Sequence, residues 1–179
     1  LEKKVLAVAD VITVTSKPTK KEFKHLTKKP IRVVTNGYDT EQQPKEAIPL
    51  DTKVSIAHID SLWSERNPKQ SWMALADLIS DYPSLKEDLQ ITLAGVVSEE
   101  VLASITEAGL AENILNLGYV SHTEAIRLQH ASQILLLLEM DKEETKVILP
   151  GKLFEYLAAQ RPILALGPEG GAIVSVLEE

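Results

Sequence analysis

A chain of 179 residues with 44% hydrophobic residues can build one domain of ordinary core size, or one domain with part of another. The absence of cysteine excludes disulfides, thiolate metal sites and cysteine nucleophiles, and fits a reducing compartment. The net charge is -7 and the only basic cluster is the six lysines from Lys17 to Lys29, which argues against a nucleic-acid footprint and reads as a solvated helix face.

In chain order, Leu1 to Lys4 followed by Val5 to Val14 has the outline of a signal peptide. Asp10 interrupts its apolar part, however, and no small-residue cleavage site follows. A start at Leu1 and a stop at Leu177-Glu178-Glu179, inside a helical pattern, lead to the expectation of an internal piece of a longer protein. Val11 to Val14 reads as a short strand. Pro18 to Leu26 reads as a helix capped by Ser16, and Ile31 to Val34 as a second strand closed by an Asn36-Gly37 turn. Thr40 to Pro49 is polar, contains two prolines and has no periodicity. It suggests three parts: residues 1–40 at a domain junction, 41–49 as a linker, and 50–179 as the main domain.

Beyond the linker the periodicity sharpens. Val54 to Ile59 reads as a strand. Pro68 to Tyr82 reads as a helix with Trp72, Leu75, Ala76 and Ile79 on one face and Asn67 as its start signal. The spacing predicts strands over Leu89 to Ala94, Ile114 to Leu117, Ile134 to Leu138 and Pro162 to Leu166. Between and after them it predicts helices over Ser98 to Ala108, Ser121 to His130, Gly151 to Ala159 and Ala172 to Leu177, with Ser98 and Ser121 as caps. The longest aliphatic run, Ile134 to Leu138, is far too short to cross a bilayer. Strands alternating with helices imply an α/β fold: a Rossmann-like, doubly wound parallel sheet with helices on both faces. Ligands of such sheets bind at the carboxyl ends of the strands, so chemistry is sought in those loops.

The most informative loop leads into Pro150-Gly151-Lys152-Leu153-Phe154-Glu155. A helix starting at Gly151 would aim free N–H groups and the positive end of its dipole at an anion. Lys152 adds a mobile charge, and Glu155, one turn on, can accept bonds from two neighbouring hydroxyls. That set suits a nucleoside diphosphate. The alternative is an ordinary amphipathic helix in which Lys152 and Glu155 form an exposed ion pair.

A second segment, His58 to Pro68, joins a strand end to a helix start. Arg66 could clamp a phosphate with its planar fork, or pair with Glu65 or another acid. His58 reads as a packed, hydrogen-bonded histidine rather than a base. Asp60 is an unexpected neighbour for a phosphate. A third segment, with Glu139, Asp141, Glu143 and Glu144, lacks a histidine at ligand spacing and reads as a solvated loop, with no metal site expected. The glycines of Gly167-Pro168-Glu169-Gly170-Gly171 could admit a ligand or form a turn. There is no Walker loop, no Gly-x-Gly-x-x-Gly after the first strand of the main domain and no nucleophile elbow.

Four stretches in order resemble the C-terminal domain of retaining, GT-B fold glycosyltransferases of family 4 (group 1). They are Ala9 to Ser16, Val34 to Asp39, Asp60 to Pro68 and Pro150 to Ala165. The "GKLFEYLA" helix resembles a bacterial polysaccharide-type branch. The resemblance implies a donor-binding domain with Arg66 as basic diphosphate ligand, Glu155 on the ribose, and Gly151, Lys152 and Leu153 in the loop facing the diphosphate and sugar. Arg66, Lys152 and Glu155 then form the catalytic set, with Ser61 and Gly170 joining the donor contacts. Val147 stands where the family has the first glutamate of its Glu–seven residues–Glu motif. Asp60 replaces the phosphate-loop glycine and Ser61 the arginine after it.

The implied activity is hexosyl transfer from a UDP- or GDP-sugar to an acceptor in cell-surface polysaccharide or glycoconjugate synthesis. The nucleotide sugar is the substrate, and no cofactor is expected. The acceptor is expected to bind mostly on a separate N-terminal domain, and the chain alone to bind nucleotide weakly and transfer nothing. The expected location is cytoplasmic, with peripheral contact at the inner membrane face. Two alternatives share the fold: a sugar-nucleotide epimerase, and a non-catalytic relative acting as a binding or scaffolding subunit.

Overall fold

The computed structural model describes residues 2–178. The elements run α1 (Glu2–Val8), β1 (Ile12–Val14), α2 (Lys17–Phe23), β2 (Ile31–Val33), β3 (Val54–Ile59), α3 (Lys69–Asp81), α4 (Leu85–Asp88), β4 (Leu89–Ala94), α5 (Glu99–Glu107), β5 (Ile114–Gly118), α6 (His122–Ala131), β6 (Ile134–Leu138), α7 (Gly151–Ala159), β7 (Ile163–Leu166) and α8 (Ala172–Leu177). Single 3-10 turns cover Thr40–Gln42, Ser64–Arg66, Ala111–Asn113 and Glu143–Thr145. Among the described residues, no helix is long and apolar enough to cross a membrane.

β3 to β7 form a five-stranded, all-parallel sheet in the order β5-β4-β3-β6-β7. The chain enters at the central strand, builds outward to β4 and β5, then returns to the other side for β6 and β7. The direction of winding reverses between β3 and β6, and in a doubly wound sheet the crevice at the carboxyl ends of that pair is the natural ligand position. The α/β, Rossmann-like reading therefore holds, with helices packed on both faces.

Strand periodicity explains the two cores. Ile56 of β3 and Leu136 and Leu138 of β6 turn to one face and pack with Trp72 of α3 and Val101 and Ile105 of α5. Ala57 and Ile59, with Leu135 and Leu137, turn to the other and pack with Leu128 of α6, Leu153 and Tyr156 of α7, and Ile173 of α8. Both faces are covered, so the central strands are apolar without alternation. Each fully buried Leu or Ile side chain stabilises the fold by roughly 1.5–3 kcal/mol relative to exposure.

β1 and β2 form a separate two-stranded parallel sheet, Ile12 opposite Ile31. Leu6 of α1 packs with Ile12, Val14 and Ile31 in its small core. Three side chains tie this unit to the loop before α7. Ser16 Oγ donates to the Val147 carbonyl at 3.0 Å, Thr19 Oγ1 to the same carbonyl at 3.2 Å, and Asn36 Nδ2 to the Leu149 carbonyl at 3.4 Å. Between residues 40 and 49 the only regular element is the Thr40–Gln42 turn, with Asp39 Oδ1 accepting from the Glu41 N–H at 2.9 Å.

Local expectations fail at four places. Residues 2–8 form a helix where only an apolar run with a signal-like outline was legible. Leu85–Asp88 adds a helical turn before β4 that the periodicity did not indicate. Asn36-Gly37 makes no tight turn: residues 34–39 run without regular structure, and Asn36 spends its amide on Leu149. Ser98 stands at the head of α5 without a side-chain capping bond, whereas Ser16 and Ser121 do accept from Thr19 and Glu124 N–H groups.

Candidate functional site

The site is assembled at the winding reversal. Asp60 follows β3 directly, and Glu139 follows β6 directly. Arg66 arrives on the 3-10 turn Ser64–Arg66, and Lys152 on the first turn of α7. Lys152 Nζ donates to Asp60 Oδ2. Arg66 Nη1 lies 3.5 Å from that same oxygen, and Arg66 Nε lies 3.8 Å from Glu139 Oε1. Two cations therefore converge on one carboxylate oxygen, with a second carboxylate behind the guanidinium.

Three local devices hold this geometry. Asn67 stands just before α3, where it was read as a start signal, and its side chain does not cap the helix. Its Oδ1 accepts from Trp72 Nε1 at 2.9 Å, and its Nδ2 donates to Ser104 Oγ at 3.0 Å, fastening the Arg66 turn to α3 and α5. Tyr156 is fully buried, and its hydroxyl accepts from the Ile59 N–H at 3.0 Å, fixing α7 against the end of β3. Gly95, after β4, has φ +138°, and a Cβ there would overlap the Asp60 carbonyl, so only glycine lets β4 end so close to the Asp60 backbone.

Charge is finely balanced. Burial alone would raise the Asp60 carboxyl, but the Lys152 hydrogen bond and charge outweigh it and hold Asp60 below the usual carboxylate range. Burial pushes the Lys152 ammonium below its own usual range, against the pull of Asp60. His58, beneath the cluster, is fully buried and pushed down to about 4, first by burial and also by Lys152 and Arg66. Its ring is therefore neutral near pH 7, with Nδ1–H donating to the Leu136 carbonyl at 2.9 Å and Nε2 unpartnered among the described residues. That is a packed histidine, as its place at a strand end suggested.

The other expected site residues divide. Ser61 lines a cleft with Asp60, Gly95, Tyr119 and His122 at the ends of β3 to β5. The Gly151 and Lys152 N–H groups carry no backbone hydrogen bond among the described residues, so the head of α7 has donors to offer. Leu153 does not fit its expected role. Its side chain is fully buried in the core and its N–H already binds the Pro150 carbonyl at 3.1 Å, because a helix starting at Gly151 turns its third residue inward. Gly170 sits in an exposed turn with φ +66°, where it serves chain reversal.

Glu155 turns from Lys152 toward α6. Its Oε2 accepts from Gln129 Nε2 at 2.9 Å, and its Oε1 lies 3.8 Å from His122 Nε2. It does not meet Arg66: Asp60, the partner of Arg66, and His122, the neighbour of Glu155, both line the Ser61 cleft, while Arg66 lines a separate cleft with Asn67 and Glu139. Of the two simpler alternatives, the exposed Lys152–Glu155 pair is not formed, since Lys152 pairs with Asp60, whereas Arg66 does pair with acids, Asp60 and Glu139 rather than Glu65.

No protein-family model matches the sequence, and no curated protein matches it significantly. Solved structures match throughout. WaaG, a glycosyltransferase involved in lipopolysaccharide biosynthesis, aligns over 93% of this chain and 51% of its own, with 14% identity and a TM-score of 0.67. The trehalose-6-phosphate synthase OtsA aligns over 98% and 49%, with 13% identity and a TM-score of 0.69. A point mutant of TarM from S. aureus, solved in complex with fondaparinux, alpha-GlcNAc-glycerol and UDP, aligns over 94% and 32%, with 14% identity and a TM-score of 0.63.

This chain has the fold of a GT-B glycosyltransferase domain. It spans about a third to a half of the length of the chains it matches. Within the GT-B domain, sequence reasoning missed Glu139 as a site residue. Glu139 was read as part of a solvated acidic loop, yet its side chain is only 3% exposed and faces Arg66, while Asp141, Glu143 and Glu144 are exposed. Its position directly after the most apolar strand was the available signal.

Proposed function

We propose that the chain is the donor-binding domain of a glycosyltransferase that uses a UDP- or GDP-linked sugar. The observation that carries this reading is the convergence of Arg66 and Lys152 at the β3–β6 reversal, beside the open N–H groups at the head of α7. Cations and aligned amides at one point suit a diphosphate. In the transfer step they would stabilise the negative charge that grows on the departing diphosphate. Glu155, one turn along α7 from Lys152 and next to His122 of the Ser61 cleft, would accept hydrogen bonds from the ribose hydroxyls. In this reading the sugar is a hexose, the enzyme is of the family 4, bacterial polysaccharide type, and the acceptor binds mostly on another domain. The whole protein then works in the cytoplasm, at the inner membrane face. The chain alone binds nucleotide and transfers nothing.

Calorimetric titration with UDP and GDP tests the reading. Saturable binding that weakens at least about tenfold in Arg66→Ala and Lys152→Ala supports it. Binding indifferent to both substitutions, or no binding of either nucleotide, refutes it.

A second reading is favoured by one observation: both cations are already paired, to Asp60 and Glu139. A GT-B relative that serves as a binding or scaffolding subunit would tolerate this neutralised site, and failure to bind either nucleotide would support it.

A further inference from the structure

The oxygen on which Lys152 and Arg66 converge belongs to the protein itself. Asp60 Oδ2 receives the Lys152 ammonium and stands 3.5 Å from Arg66 Nη1. A phosphoryl oxygen bound by the same two cations would have to occupy the same point. Asp60 is 39% exposed at its side chain, so the carboxylate lies at the mouth of the site and has room to swing out. Glu139, at 3%, is enclosed behind Arg66 and has no such freedom. The Asp60 backbone is held tightly, since Gly95 is packed against its carbonyl. Only its side chain can yield.

We propose that Asp60 is a built-in surrogate for the ligand's anionic oxygen, which an incoming diphosphate must displace. It thereby sets the affinity of the site. The inference rests on the donor-site reading above and goes further, by assigning a role to Asp60, a residue that reading leaves unused. Asp60 keeps the two like charges of Arg66 and Lys152 together while the site is empty. When diphosphate arrives, the carboxylate either leaves the cations or repels the ligand across a few ångströms. In either case its negative charge opposes binding, and the opposition depends on the ligand's charge.

The test is calorimetric titration of the full chain, as wild type, Asp60→Asn and Asp60→Gly, with UDP and GDP and with the uncharged nucleosides uridine and guanosine. Asparagine keeps the side-chain volume and removes only the charge, so it decides the matter if glycine disturbs the loop. The expected result is a gain of about tenfold or more in affinity for the favoured diphosphate in both variants, with nucleoside affinity unchanged. A role confined to structure would move nucleoside and nucleotide together. If the wild type binds diphosphate and Asp60→Asn binds it no better, this inference fails while the donor-site reading survives. If neither wild type nor variants bind UDP or GDP, both fail.

Discussion

The Tyr156 hydroxyl accepts a hydrogen bond from the Ile59 N–H at 3.0 Å, and this single bond fastens the helix that carries Lys152 to the strand that delivers Asp60. The ring lies in the core with Leu135, Leu137 and Leu153. Position and chemistry are thus linked through a residue whose hydroxyl bonds to backbone rather than to either cation.

Tyr156→Phe keeps the ring and removes the acceptor, leaving a buried N–H unpaired. The expected cost is about 1–3 kcal/mol of stability, read from urea unfolding. An unchanged midpoint would show that the bond contributes nothing.

His58 predicts an acid-sensitive stability. Its folded value of about 4 lies below the ordinary histidine value, so the unfolded chain takes up the proton first as pH falls. The contribution is fully present above about pH 6.5 and drains away down to about pH 4, for a total of roughly 3 kcal/mol. Unfolding measured at intervals across that window should show the decline, and His58→Leu should flatten it. A slope that persists unchanged in the variant would assign the acid sensitivity elsewhere.

Asn67→Ala removes the partner of both Trp72 Nε1 and Ser104 Oγ. Trp72 is fully buried, so its indole N–H would be stranded. A loss of about 1–3 kcal/mol is expected from the unmet donor. Nucleotide affinity should also fall, because the Arg66 turn loses its anchor to α3 and α5. Thermal melting and nucleotide titration of the same sample separate the two effects.

Gly95→Ala places a methyl group against the Asp60 carbonyl, at a backbone angle that alanine rarely adopts. A destabilisation of roughly 2 kcal/mol or more is expected from the strained backbone alone. Unfolding by denaturant measures it, and a variant as stable as the wild type would mean that the two strand ends have room to separate.

Much of the architecture was legible because burial on two faces leaves a plain signature. Val54–Ile59, Leu89–Ala94, Ile134–Leu138 and Gly151–Ala159 begin and end where the apolar runs and the Pro150-Gly151 start signal said they would. Helix α1 escaped because its seven residues carry no polar–apolar periodicity strong enough to outweigh the signal-like outline, and Leu6 is the one of its described side chains that reaches the small core. Asn36-Gly37 misled because a long-range bond to Leu149 competes with local turn chemistry.

The site was half legible. Arg66 and Lys152 could be nominated from their loops, but no spacing reveals that β3 and β6 are neighbours across a winding reversal. That adjacency brings Asp60 and Glu139 to the same guanidinium, and it is a property of strand order alone. Leu153 was misassigned for a related reason: which side of a helix faces the sheet depends on the strand beneath it.

The paired hydroxyls of Ser16 and Thr19 on the Val147 carbonyl carry one more consequence. They sit far upstream in the chain, 131 and 128 positions before the carbonyl they clasp. A shortened protein beginning at residue 50 would retain every strand of the larger sheet, yet the approach to Gly151 would lose its outer brace. Trimming to the obvious sheet boundary would thus preserve the scaffold and slacken the entrance.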